Sequence, residues 1–170
     1  MKQRDCDKMM LEIIKSGENE ESYQRMAQLL LRMYNENKEI YCLMAILDPF
    51  QKRMVHLLYD RDGERSVASG SSVENASFAL RKYTTEYLSY FNSKGYYGIN
   101  IMGVYCRTVL NNLYYQKNIA SITFDEYTNH CFILPKEYIC ELIKDSPYLK
   151  VPDNFENLKK AGKTGKAGND

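Results

Sequence analysis

Two histidines and five cysteines are the residues of this chain best suited to nucleophilic or metal chemistry, and their spacing decides how much of it they can do. His130 and Cys131 are adjacent, and His56 and Cys42 fall in two apolar stretches able to pair as strands, so a thiolate–imidazole pair or a zinc site is the chemistry to weigh. Neighbouring residues of a strand point to opposite faces, which keeps His130 and Cys131 from readily sharing one ligand site. There is no Cys-x-x-Cys pair, and Cys6, Cys42, Cys106, Cys131 and Cys140 mostly interrupt apolar patterns, as buried reduced thiols do. Carboxylates gather at Asp60-Arg61-Asp62 and at Asp125-Glu126. Both groups sit among turn residues, where turn formation and capping are the ordinary work of an aspartate and paired acid–base catalysis the exceptional one.

Two stretches invite phosphate chemistry. Gly162-Lys163-Thr164 resembles the end of a nucleotide-binding loop, but Asn157 stands where that loop needs its first glycine, and no buried strand leads into it. Gly70-Ser71-Ser72 opens a long helix, whose free N–H groups and positive dipole end suit a small anion, although a serine hydroxyl capping the helix explains the same residues. No catalytic residue, cofactor or metal is assigned on these signals.

The elements that would position such groups follow from composition and periodicity. With 170 residues the chain is long enough for one core without disulfide or metal staples. Its 23 basic and 22 acidic residues leave a net charge of +1, which gives no field to concentrate nucleic acid or anionic lipid. The aromatic strands also lack a basic, glycine-rich RNA-binding signature. The longest apolar run, Ile40 to Leu47, is too short to span a bilayer, and the first residues lack the apolar run of a signal peptide. A cytoplasmic location is the expectation. Fifteen tyrosines and no tryptophan stand out, because a phenol buries its ring while needing a wet or bonded hydroxyl. Most of them should line the core edge, with a protein-binding face as the sharper reading.

Met9, Met10, Ile13 and Ile14 predict a short helix over Asp7 to Lys15, closed by Ser16-Gly17. Tyr23, Met26, Ala27, Leu30 and Tyr34 predict a second, with a solvated polar face of Gln24, Arg25, Gln28 and Arg32. Ile40 to Leu47 reads as a mid-sheet strand ending at Asp48-Pro49, followed by strands over Met54 to Tyr59 and Glu64 to Ala68 about the turn Asp60 to Gly63. A long helix then carries Ala76, Leu80, Tyr83, Tyr87 and Phe91 on one face as far as Gly95. Tyr96 to Met102 reads as a strand, Gly103 as a break, and Val109, Leu110, Leu113 and Tyr114 as a helix ending near Asn118. The clearest cassette is Ile119 to Ile143: a strand to Phe124, a turn over Asp125 to Asn129, a strand from His130 to Leu134, and a helix with Pro135 at its first position. The expected fold class is α+β, a mixed and largely antiparallel sheet of about five to six strands with helices packed on it. The expected division is a single domain over 1–150, with N-terminal helices over 1–39 and a core over 40–146, then a flexible tail over 151–170.

Two stretches, IYCLMAILDPFQKRMVHLLYDRDGERSVASGSS and YYGINIMGVYCRTVLNNLYYQKNIASITFDEYTNHCFILPKEYI, resemble in pattern the N-terminal domain of the SseB, or enhanced serine sensitivity, family. The resemblance covers Ile40 to Ile143 and departs from that pattern at Phe124-Asp125-Glu126, where the family often carries Asn-Pro. It implies an α+β domain, with examples linked to bacterial secretion systems, and brings no catalytic residues with it. The functional expectation is therefore a non-enzymatic domain that binds another protein through tyrosine-rich and methionine-bearing surface. A small enzyme with a site assembled from distant residues, or a small-anion sensor, is the alternative. Pairing of two copies through exposed tyrosines or a free sheet edge is a separate expectation.

Overall fold

A computed structural model describes residues 1–48, 50–51, 53–86, 88–93 and 95–152. Its elements, in chain order, are α1 (Gln3–Lys15), α2 (Glu20–Asn35), β1 (Glu39–Asp48), β2 (Arg53–His56), β3 (Leu58–Arg61), β4 (Glu64–Gly70), α3 (Val73–Glu86), α4 (Leu88–Ser93), β5 (Gly98–Tyr105), α5 (Cys106–Tyr115), β6 (Ile119–Phe124), β7 (Phe132–Pro135) and α6 (Glu137–Ile143). This is the expected α+β class, with a mixed sheet of seven strand segments.

The sheet is built outward from β1. Its residues Glu39 to Ile46 pair antiparallel with β5 along one edge. Along the other edge, Tyr41 and Cys42 pair with β4, and Met44 to Asp48 pair with β2. β1 and β4 therefore touch at one end and diverge, and β2 with β3 fills the gap between them. Leu57 is the vertex: its N–H donates to the Leu43 carbonyl at 2.9 Å, and its own carbonyl accepts from the Ala68 N–H at 3.0 Å. The stretch expected as one strand is thus two segments, because it changes partner from β1 to β4 at Leu57. β4 pairs parallel with β6, and β6 pairs antiparallel with β7. Asp62 and Gly63 join β3 to β4 with φ of 51° and 85°, the two positive values that a two-residue hairpin turn of matching twist requires.

Side-chain alternation along β1 assigns the two faces. Ile40, Cys42 and Met44 belong to a core shared with α1, α2, α5 and α6, while Leu43 belongs to a smaller core with Leu57, Tyr59, Ala68 and the α3 residues Ala76 and Ala79. The first two helices contribute Met10, Ile13, Ile14, Met26, Leu30 and Met33 to the larger core, so they complete its packing. α2 begins with a reciprocal cap, in which Asn19 Oδ1 accepts from the Ser22 N–H and Ser22 Oγ accepts from the Asn19 N–H, each at 2.9 Å. At its other end Arg107 donates to the Tyr34 and Asn35 carbonyls at 2.9 and 2.7 Å, while its guanidinium lies 3.5 Å from the centre of the Tyr148 ring.

Three local expectations are corrected. Pro135 ends β7 opposite Ser121 and does not open the following helix, which starts at Glu137. A proline suits an outer strand because its missing N–H removes no ladder bond on the open side. Gly103 lies within β5 opposite Tyr41; a side chain there would meet the Glu39 carboxylate at 2.6 Å. The strand expected from His130 begins at Phe132, with His130 in the preceding turn. The expected long helix comprises α3 and α4, with Tyr87 and the side chain of Phe91 outside the described residues, as are Pro49 and residues 153–170 of the expected tail.

Candidate functional site

The cysteine and histidine pairs do not assemble. Cys42 lies on β1 and Met44, two residues on, pairs with His56, which places the two side chains on one face as diagonal neighbours. Burial pushes the Cys42 thiol up to about 12 and lowers His56 to about 4. An activated thiolate beside an imidazolium would need the opposite shifts, so both groups are held neutral. His56 Nδ1 is buried and has no hydrogen-bond partner among the described residues. His130 and Cys131 are both exposed, in the loop before β7. Among the described residues no three His, Cys, Asp or Glu side chains gather closely enough to hold a metal ion.

The long helix opens as a capped terminus with its anion supplied from within the chain. Asp125, 1% exposed, accepts from the Ser71 N–H and the Ser71 hydroxyl at 2.7 Å each and from Asn75 Nδ2 at 3.2 Å. Ser72 Oγ accepts from the Asn75 N–H at 3.0 Å. Desolvation raises the Asp125 carboxyl above its ordinary value, against the pull of these donors. Beside it, Ser121 Oγ donates to Ser66 Oγ at 2.7 Å, and Ser66 Oγ lies 2.7 Å from Thr123 Oγ1. These hydroxyls occupy the face of β4 and β6 opposite Val67, Ile122 and Phe124, where Ser66 and Thr123 are fully buried and the three bond to one another. In the sequence Gly70-Ser71-Ser72 and Asp125 stand as two separate signals. The 54-residue separation of Ser71 and Asp125 hides their contact. Asp60, near the end of β3, accepts from the Gly63 N–H at 3.2 Å and shapes the hairpin. Gly162-Lys163-Thr164 lies outside the described residues.

Most described tyrosines are half-buried at the core edge, as expected; Tyr34 and Tyr59 are buried, and Tyr97, Tyr105, Tyr127 and Tyr148 are exposed. Tyr127 meets Tyr83 edge-on at 6.1 Å, Tyr83 stacks on Tyr59 at 5.3 Å, and Tyr148 packs edge-on against Tyr34 at 6.3 Å.

A concavity lies elsewhere, on the helical layer. α2 lies between α1 and α6, and residues of all three line a groove of about 890 Å³. Met9, at 40% exposed, faces this groove and does not enter the core with Met10, Ile13 and Ile14. Half-buried Leu142 lines the opposite side, although its neighbours Ile139 and Ile143 are fully buried. Gln24, Arg25, Gln28 and Arg32, expected as a merely solvated helix face, form part of the lining. Tyr138 fixes α6 against α2 by donating its hydroxyl to Glu20 and packing its ring 5.2 Å from Tyr23. Sequence reading missed this site because it joins residues 9 to 142. The signal available was that Met9 and Leu142 each extend an apolar stripe one position beyond what its short helix needs.

No helix among the described residues is long and apolar enough to cross a membrane. No family model, curated protein or solved structure matches the chain.

Proposed function

We propose that this chain is a non-enzymatic, cytoplasmic protein-binding module of SseB-like type, and that the groove among α1, α2 and α6 is where its partner sits. The observation that carries this reading is the groove's lining: Met9 and Leu142 present apolar surface on its two sides, over a floor of the buried Ile13 and Leu29, in a concavity open to solvent, without the convergence of buried polar groups that an enzyme pocket needs. Apolar surface gathered in one concavity is the usual anchor of a protein interface. The SseB-like part of the reading rests on the sequence pattern from Ile40 to Ile143.

The test is capture from native extract by the full chain and by a Met9→Asp/Leu142→Asp variant, with Phe78→Asp as a control on the exposed side of α3. A stoichiometric protein retained by the parent and the control but lost by the groove variant supports the reading. Equal capture by all three removes the groove from the interface, and turnover in a substrate screen without any captured protein contradicts the non-enzymatic assignment.

A further inference from the structure

The chemistry of the groove selects among the shapes a protein partner can present. All of its lining residues come from three α-helices, whose backbone N–H and C=O groups are spent within each helix except at the terminal turns, and no strand edge borders the groove. An extended peptide laid there would find no sheet edge to bond its main chain, whereas a helix brings its own backbone satisfied. Along α2 the lining runs from Glu21 to Arg32, which is roughly 16 Å at 1.5 Å per residue, or three turns of a docked helix.

Charge decides the sign of that helix. Four carboxylates line the groove, Glu12 from α1, Glu21 from α2, and Glu137 and Glu141 from α6, against two guanidinium groups, Arg25 and Arg32. Arg32 is already paired with Glu36 at 3.0 Å, and Glu141 with Lys144 at 2.5 Å. Glu12, Glu21 and Glu137 have no ion-pair partner among the described residues, so three uncommitted carboxylates face one uncommitted guanidinium. Glu12 in the last turn of α1, Glu21 in the first turn of α2 and Glu137 in the first turn of α6 lie at one end of the groove, where Tyr138 donates to Glu20, so the excess of negative charge is gathered at the N-terminal end of α2.

Resting on the protein-binding reading, we infer that the occupant is an amphipathic helix of about three contacting turns, with an apolar stripe seated between Met9 and Leu142 over a floor of Ile13 and Leu29, and with lysine or arginine towards the end that meets Glu12, Glu21 and Glu137. The apolar stripe supplies most of the affinity, and the flanking cations supply selectivity and speed of encounter.

The test uses the full chain and two synthetic helices of about 18 residues, roughly 27 Å long. Both carry the same leucine stripe; one has lysine and glutamine on its polar face, the other glutamate and glutamine. The lysine helix should bind one to one, about tenfold or more tighter than the glutamate helix, and weaken as salt is raised. Glu12→Lys/Glu137→Lys should abolish that preference, whereas Glu64→Lys/Glu74→Lys, which changes net charge equally on exposed positions outside the groove, should preserve it. Equal binding of the two helices, or equal loss in both variants, overturns the inference. So does a dimer of the chain that Leu142→Asp dissociates, because the groove would then be filled by a second copy. If native capture still depends on the groove while the helices show no charge preference, the occupant is wrong and the binding reading stands; if capture ignores the groove, the binding reading itself fails.

Discussion

Asp125 holds the loop after β6 to the start of α3 through three donors; without the carboxylate the buried Ser71 N–H and hydroxyl lose their acceptor, while Asn75 Nδ2 keeps its bond to Ser71 Oγ at 2.9 Å. Asp125→Ala should therefore cost about 2–3 kcal/mol in urea unfolding, well beyond the effect of an exposed aspartate. Its raised carboxyl has a defined sign: the native state holds the proton more tightly than the unfolded chain, so the stability it adds is complete below the ordinary 3.8 and is lost as pH rises through the higher native value. His56 works in the other direction. Its imidazole falls from 6.5 to about 4 because burial disfavours the cation, so its contribution is present above 6.5 and is lost as pH falls towards 4. At 1.36 kcal/mol per unit this amounts to about 3 kcal/mol as an order of magnitude. Comparing unfolding at about pH 7.5 and about pH 4.5, His56→Leu should lose less stability on acidification than the parent chain. An identical acid loss would mean that the ring is hydrated in the native state.

At the scale of elements, two glycines with similar close contacts should behave differently. A Cβ at Gly70 would meet the Ala76 backbone nitrogen at 2.8 Å, and backbone at a helix start cannot step aside. A Cβ at Gly103 would meet the end of the Glu39 side chain at 2.6 Å, which can rotate away. Gly70→Ala should thus lower stability by about 1–3 kcal/mol and Gly103→Ala by clearly less, read from thermal melts of the two variants. Removing the reciprocal cap with Asn19→Ala should cost about 1 kcal/mol. Much at this scale is legible in the sequence where local chemistry is decisive: Asp62-Gly63 names its own turn, Ser16-Gly17 closes α1, and the stripe from Tyr23 to Tyr34 names α2. Legibility fails where a neighbour decides. Pro135 satisfies the rules for a helix start and for an outer strand end alike, and only its pairing with Ser121 selects the second. Leu57 divides one apolar run in two because β1 and β4 diverge around it, a fact absent from the run itself.

At the scale of the whole molecule, the sheet divides the chain into a thick helical side and a thin one. α3 packs on β5, β1 and β4 on the thin side, whose face also carries the hydrogen-bonded Ser66, Ser121 and Thr123. The thick side uses α1, α2, α5 and α6 to bury most of the core, and the arrangement of α2 between α1 and α6 leaves the groove. The groove could not be read from composition, since a net charge of +1 conceals a local excess of carboxylates. Isotope-labelled full chain titrated with the lysine-flanked helix, with amide shifts followed by NMR, tests the assigned surface most directly. The largest shifts should fall on α1, α2 and α6, around Met9, Glu12, Gln28 and Leu142. Shifts centred instead on the outer edge of β5, or on the Tyr127 loop, would contradict it.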